Sequence, residues 1–481
     1  MKKILIYVVV LATSFTIMAQ NEHIHVFRKD TLKLNSFKAS EIKSILHIGE
    51  TSENEFSKIE ILNADNETFE IKLNVIDSIQ TRLTDLPVFY INLQDYPNWT
   101  ELQGKKDDEH PATLRMEGNG MFEDLEEQTV EFRGRGNSTW NMRKKPYRFK
   151  MGKKASVCGL PKSKTFVLLA NYIDCSLMRN AIGLWTANYL EMPYSNHFVP
   201  VRVIFNGIDK GAYLLTEKIG IGSGSVDIDE DTGILFELDA NYDEDYKFKF
   251  SLNDITLPVM IKDPDITEIT LPEGYTIEQY FQTWEADFSE MAKAILTSEP
   301  NADLSKYIDL ESAVNFFIVQ SLALNFEVRH PKSFYLYKKS FQQGEVYHFG
   351  PVWDLDWAYT YNSNKENRSP NSTLAGGNGK YQGGSFIQAL FKNTAFRSLY
   401  KEKWDKFVSD GYPMLKEFMQ SYAHLIEPQA INNGKLWPDS GDNDTYKMKS
   451  SLEFRNNFEA LKDWIEKRIN YCTNHQNFGI Y

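Results

Sequence analysis

The hydrophobic period of this chain shifts from mainly strand-like to mainly helical near Ile277, and that shift limits what it can fold into. From Val88 to Leu238 the chain reads as strands: Ala112–Met116, Gln128–Phe132 and Tyr147–Met151 alternate, Thr165–Leu169 is a continuous apolar run of the buried type, and Val88–Leu93, Phe198–Phe205, Gly211–Thr216 and Ile234–Leu238 are further strands. Residues two apart share one face of a strand, so this half reads as sheet-forming. One helical stretch interrupts it, Ser176–Leu190, with Leu177, Ile182, Leu184, Trp185 and Tyr189 in a stripe and Asp174 as a natural N-cap. From Ile277 the period is helical: Trp284, Phe288, Met291, Ala292 and Ile295 form one stripe, and Leu310–Asn325 reads as a buried helix. Short strands are expected at Phe334–Tyr337 and Val346–Val352, and a last helix at Leu452–Tyr471. Asn241–Lys249 reads as a loop, and residues 360–384, rich in Asn, Ser and Gly, as a mobile one. The pattern predicts an α+β chain.

The rest of the composition bounds the function. The net charge of −13 argues against non-specific binding to nucleic acid or an anionic membrane, since both need a basic surface. Residues 1–20 read as a signal peptide: Lys2 and Lys3, then a mostly apolar Ile4–Met18, then Ala19 as the cleavage point. Export to the periplasm, the cell surface or the exterior follows as an expectation, with no membrane span in the mature chain. Cys158, Cys175 and Cys472 are too few for a disulfide framework, and their odd number leaves at least one free thiol. Residues 21–84 read as a small β-rich module with a weak repeat, Glu41–Ile45 against Val75–Ile79, and residues 85–481 as the main domain.

Two clusters carry chemistry. The first is Gly350–Tyr359, GPVWDLDWAY, in which Asp354 and Asp356 would share one face of an extended strand while Trp353, Leu355 and Trp357 pack on the other. Burying two like charges costs several kcal/mol unless a cation compensates them; two solvated aspartates at a strand end are the alternative. The second is Arg133–Trp140, RGRGNSTW, followed by Arg143–Met151, the densest basic stretch of an acidic chain. Arginine forks suit phosphate or carboxylate, and glycines allow close backbone approach. Glu217 ends a strand as either a solvated terminus or a group facing a cleft. After the buried helix, Asn325–Ser333 places polar groups, Glu327 among them, on a rigid base.

The order of these segments resembles the CotH kinase family, atypical protein kinases related to the protein-kinase fold. The resemblance spans roughly Pro87–Trp404 and rests on RGRGNSTW, KKPYRFKM, ANYIDCSLMRN, NGIDKGAYLLTEKI, NFE…HPKSFYLY and PVWDLDWAY. It implies a two-lobed kinase-like domain, β-rich then helical, that transfers phosphate from ATP to Ser or Thr of an exported or cell-surface protein, using Mg²⁺ or Mn²⁺. It implies Lys150, Arg133 and Arg135 at the nucleotide phosphates, Glu217 at the cleft edge, Asp354 and Asp356 at the metal, and Glu327 with Asp354 as the catalytic pair. The sequence departs from the family at Asn325-Phe326-Glu327, where the pattern has Asn-x-Asp, and at His330-Pro331-Lys332-Ser333, one residue longer than the usual His-Asn segment. These departures leave a second implied reading, a pseudokinase or secreted adhesion module that keeps the fold without turnover.

Overall fold

A computed structural model describes residues 22–28, 34–38, 42–48, 58–63, 66–72, 76–83, 86–359, 369–440 and 450–481. The expected signal peptide lies outside these residues, as do residues 360–368 of the expected mobile loop. Among the described residues no helix is long and apolar enough to cross a membrane. They divide into two compact units, residues up to Leu86 with Glu417–Gln429, and Pro87–Lys416 with Ala430–Tyr481.

The first unit holds two antiparallel three-stranded sheets. One pairs β1 (Glu22–Arg28), β2 (Leu34–Lys38) and β6 (Ile76–Leu83) in the order β2-β1-β6, and the other is β3 (Ile42–Ile48), β4 (Lys58–Asn63) and β5 (Thr68–Lys72). Ile59, Ile61 and Ile71 are its buried apolar side chains among those described.

In the second unit the alternating segments close into a seven-stranded barrel. Its strands are β7 (Val88–Leu93), β8 (His110–Glu117), β9 (Leu125–Gly134), β10 (Tyr147–Ala155), β11 (Ser163–Leu169), β12 (Phe198–Phe205) and β13 (Ile208–Glu217). Strand β12 pairs with β7 in parallel, and β9 closes the barrel by pairing with both β8 and β10. Alternation gives each strand one inward row: Tyr147, Phe149 and Met151 of β10 join Phe89, Phe132, Phe166 and Phe205 in the core. Each fully buried large apolar side chain stabilises by roughly 1.5–3 kcal/mol, so the barrel is a rigid support. The β12–β13 hairpin turns at Asn206 and Gly207, with φ of 46° and 76°, the two positive values that a tight hairpin turn requires.

A five-stranded sheet follows, in the order β15-β16-β14-β17-β18, from β14 (Ile234–Leu238), β15 (Lys247–Leu252), β16 (Ile255–Asp263), β17 (Phe334–Lys338) and β18 (His348–Phe349). The expected loop Asn241–Lys249 therefore already belongs to a strand from Lys247, because Phe248 and Phe250 have a buried face to fill. The helices are α1 (Arg179–Tyr189), α2 (Ile277–Leu296), α3 (Leu310–Ala323), α4 (Gly383–Lys392), α5 (Thr394–Lys406), α6 (Tyr412–Leu436) and α7 (Phe454–Asn474). Helix α2 starts where expected because Thr276 and Gln279 form a reciprocal capping box. Helix α1 starts three residues later than expected: Leu177 sits at φ 56°, a left-handed conformation that a helix cannot contain. All three cysteines are buried free thiols.

The largest departure from expectation concerns the aspartate motif. Strand β18 covers only His348–Phe349, and the chain from Gly350 to Leu355 is irregular. Asp354 has φ of 59°, a left-handed conformation that no pleated strand accepts. The two aspartates therefore do not meet as same-face residues of a strand.

Candidate active site

They meet across a bend instead. Asp354 and Asp356 both line a cleft of about 540 Å³ together with residues from the barrel, the five-stranded sheet and the turn after α3. Trp353 and Trp357 also line it, whereas Leu355 turns away and packs against Gly183 of α1. Asn171, Ser333 and Asp354, all lining residues, carry positive φ values of 47°, 47° and 59°. Non-glycine residues held this way cost of the order of 1–3 kcal/mol each and cluster where a site dictates the backbone.

The barrel contributes the basic side. Register places Arg148 of β10 directly opposite Arg133 of β9, a like-charge pair that repels unless an anion sits between them. Here carboxylates fill that role: Asp107 lies 2.6 Å from Arg133, and Glu109 lies 2.8 Å from Arg148. Arg135 projects deeper, its guanidinium carbon 5.3 Å from the centre of the Trp353 ring. Burial pulls Arg135 below the usual arginine value, against the opposing pull of Asp354. Lys218, just past β13, also lines the cleft; burial lowers its ammonium, with Arg148, Lys262 and Arg133 adding to the effect and Asp263 opposing it.

Carboxylates dominate elsewhere. Glu327 belongs to the 3₁₀ turn Phe326–Arg329, its N–H donates to Asn325 Oδ1 at 3.2 Å, and Lys332 Nζ stands 3.5 Å from its carboxylate. Burial, then the charge of Asp354, pushes Glu327 up to about 8, with Lys332 opposing. Burial and Glu237 push Asp239 up to about 7. Asp356, 5% exposed, is likewise raised to about 7 by burial and then by Asp354 and Asp174. Glu237 accepts from Tyr335 at 2.8 Å and pairs with Lys262 at 2.9 Å.

Several expected site residues lie elsewhere. Lys150 does not line the cleft; it is the cross-strand partner of Glu131, with its ammonium 2.9 Å from that carboxylate. Strand period explains why: Arg148 and Lys150 share a face, but only Arg148 is near enough to the cleft end of β10. Glu217 is neither a solvated terminus nor a cleft group. It is fully buried, accepting from the His197 backbone N–H at 3.0 Å and contacting His197 Nδ1 at 2.8 Å, so alternation hands the cleft to Lys218. Lys144 of the basic stretch is buried and donates to the carbonyls of Ala170 and Ala212 and to Asn433 Oδ1. Gly134 answers to packing rather than to a ligand, since a Cβ there would lie 2.3 Å from the Trp140 ring.

Arg148, Lys218, Glu237 and Asp239 were missed as site residues. A signal existed for the acidic pair, because Glu237 and Asp239 stand two apart at the end of an otherwise apolar strand, as unusual as the Asp-Leu-Asp motif itself.

The residues present fit a divalent cation of the magnesium type. Among the described residues no three His, Cys, Asp or Glu side chains are arranged to hold a metal ion by themselves. Two carboxylates with phosphate oxygens and water are what Mg²⁺ uses, and an excess of buried carboxylate beside Asp354 is what a cation would relieve.

A family model described as CotH kinase protein matches residues 131–472. The chain belongs to that family. The match takes in both clusters and most of the second unit, so CotH membership supports a kinase-like function for the cleft. No curated protein matches the chain.

The raised carboxyls make a stability prediction. Ordinary values are 3.8 for Asp and 4.5 for Glu, while folded Asp239 and Glu327 hold their protons up to about 7 and about 8. Between these values the folded state binds more protons than the unfolded chain, so stability falls as pH rises. The melting temperature of metal-free protein is expected to drop between about pH 5 and 8.5, and Glu327→Gln is expected to flatten the drop, as a pH series of thermal melts would read.

Proposed function

We propose that this CotH-family chain is an exported phosphotransferase that moves the terminal phosphoryl group of ATP to a Ser or Thr hydroxyl of a protein, with Mg²⁺ or Mn²⁺. One observation carries the reading: a single cleft combines a facing arginine pair, which takes anionic partners, with buried carboxylates, which a cation would offset. A nucleoside triphosphate with its metal meets both demands at once.

In this reading the barrel and the helical half act as the two lobes of a kinase-like domain. Arg133, Arg135, Arg148 and Lys218 hold the phosphates, displacing Asp107 and Glu109 from the arginines. Asp354 and Asp356 would hold the metal, which would offset the charge of the phosphates. Glu327, positioned by Asn325 and Lys332, accepts the proton of the acceptor hydroxyl. The hydroxyl oxygen bonds to the terminal phosphorus, the bond from that phosphorus to the bridging oxygen breaks, and ADP leaves.

The second reading is favoured by one residue: Glu327 stands where the family pattern has Asp, and a displacement of about 1 Å in a catalytic group can cost ~10²-fold. A nucleotide-binding pseudokinase or adhesion module would then keep the cleft without turnover. The two are separated by incubating purified protein with radiolabelled ATP and Mn²⁺ and by thermal melts with and without each. The enzyme is expected to label itself or a test protein and to melt higher with ATP and Mn²⁺ together. A thermal shift without labelling favours the pseudokinase; the absence of both responses overturns the enzyme reading and leaves the adhesion module.

A further inference from the structure

The bend that carries Asp354 and Asp356 has one turn hydrogen bond of its own, from the Ala358 N–H to the Leu355 carbonyl at 3.1 Å, which leaves the rest of the bend, the Asp356 carboxylate included, for something else to hold. The first turn of α1 does. Arg179, fully buried, donates from Nη1 to the Asp356 carbonyl at 2.9 Å, and its own charge is met by Asp174 at 3.6 Å. Asn180, 3% exposed, accepts from the Leu355 backbone N–H at 2.9 Å through Oδ1. That bond fixes the amide orientation, because a backbone N–H can only donate and must face the oxygen. The Nδ2 amide therefore faces Asp356 Oδ1, to which it donates, while also donating to Asn171 Oδ1 at 3.1 Å. One turn on, Gly183 receives the Leu355 side chain so closely that a Cβ would lie 1.7 Å from Leu355 Cδ1. Two successive residues of the bend, Leu355 and Asp356, are thus seated on one helix face.

We propose that Asn180 is a positioning residue for the metal site: its amide orients the Asp356 carboxylate, committing one oxygen to Asn180 so that the group meets the cation in one pose. The proposal rests on the reading of Asp354 and Asp356 as the metal pair. Groups that orient a metal ligand through a hydrogen bond typically change metal affinity by about 10–100-fold when removed.

Asn180→Asp is the informative variant. It keeps size and keeps an acceptor for the Leu355 N–H, but cannot donate to Asp356. Mn²⁺ binding to the full chain, followed as free Mn²⁺ by electron paramagnetic resonance with a non-hydrolysable ATP analogue present, is expected to weaken about 10–100-fold in Asn180→Asp. Binding of the analogue in EDTA is expected to stay at the wild-type level. If the protein turns over, the Mn²⁺ concentration for half-maximal rate rises while the rate at saturating Mn²⁺ largely recovers. A purely structural role predicts the opposite order: aspartate tolerated, and Asn180→Ala, which orphans the Leu355 N–H, the damaging change. Should Asn180→Asp fail to fold, Asn180→Ala is measured the same way: weaker Mn²⁺ with analogue binding in EDTA kept supports the proposal, and loss of both overturns it. Wild-type or tighter Mn²⁺ binding in the folded variant overturns the proposal. No Mn²⁺ binding by the wild type overturns the metal reading itself, and this inference with it.

Discussion

Asp354→Ala is expected to lower metal-dependent phosphate transfer by about 10³-fold or more, equivalent to about 4 kcal/mol of transition-state stabilisation. Asp354→Asn, which removes the charge but keeps a side chain suited to the left-handed backbone at φ 59°, is expected to raise the melting temperature of metal-free protein. Both effects have one source. Asp354 pushes its neighbours Glu327 and Asp356 upward, so its charge is a liability in metal-free protein and an asset only when a cation is present. Removing the charge relieves that repulsion, but Ala accepts the left-handed backbone at φ 59° less well than Asp or Asn, so the thermal effect is read in Asp354→Asn. Radiolabel transfer with Mn²⁺ and thermal melts in EDTA read the two halves. A melting temperature that falls with activity would mean that Asp354 holds the bend rather than a cation.

Glu327→Gln is expected to lower the turnover rate by ~10²–10⁴-fold while leaving ATP affinity near the wild-type value, since it removes a proton acceptor and not a phosphate contact. The pH dependence gives a second signature. A base held at about 8 is mostly protonated at neutral pH, so wild-type turnover should rise as the pH passes through that range, and the rise should vanish in the variant. Glu327→Asp tests the departure from the family pattern. Lys332 stands 3.5 Å from the carboxylate of the longer side chain, and withdrawing that carboxylate by about 1 Å is expected to cost roughly tenfold or more. Steady-state rates across pH decide both points. A Glu327→Asp enzyme faster than wild type would show that the glutamate is a degraded base rather than an adapted one.

Much of the fold was legible because most of its elements bury one face and so leave a period. Tyr147, Phe149 and Met151 announced the inward row of β10, and Asn206-Gly207 announced the hairpin. The closure of those strands into a barrel was not legible, since the same alternation serves an open sheet. At the cleft, Arg133, Arg135, Asp354, Asp356 and Glu327 were found from residue type and order, and the structure brings all five to its walls. Lys150 and Glu217 were not separable from Arg148 and Lys218 by sequence: a shift of one or two positions along a strand changes which side chain reaches a given end, and nothing local records where that end lies.

By itself, then, the sequence determined the α+β character, the family, and the pairing of a basic stretch with an aspartate motif, because periodicity and residue chemistry are local properties. Only the tertiary structure decided which cations face the cleft and how the two aspartates meet. They meet through a left-handed bend seated on Arg179, Asn180 and Gly183, residues more than 170 positions earlier in the chain. Such long-range contacts are set by packing, and packing leaves no period to read.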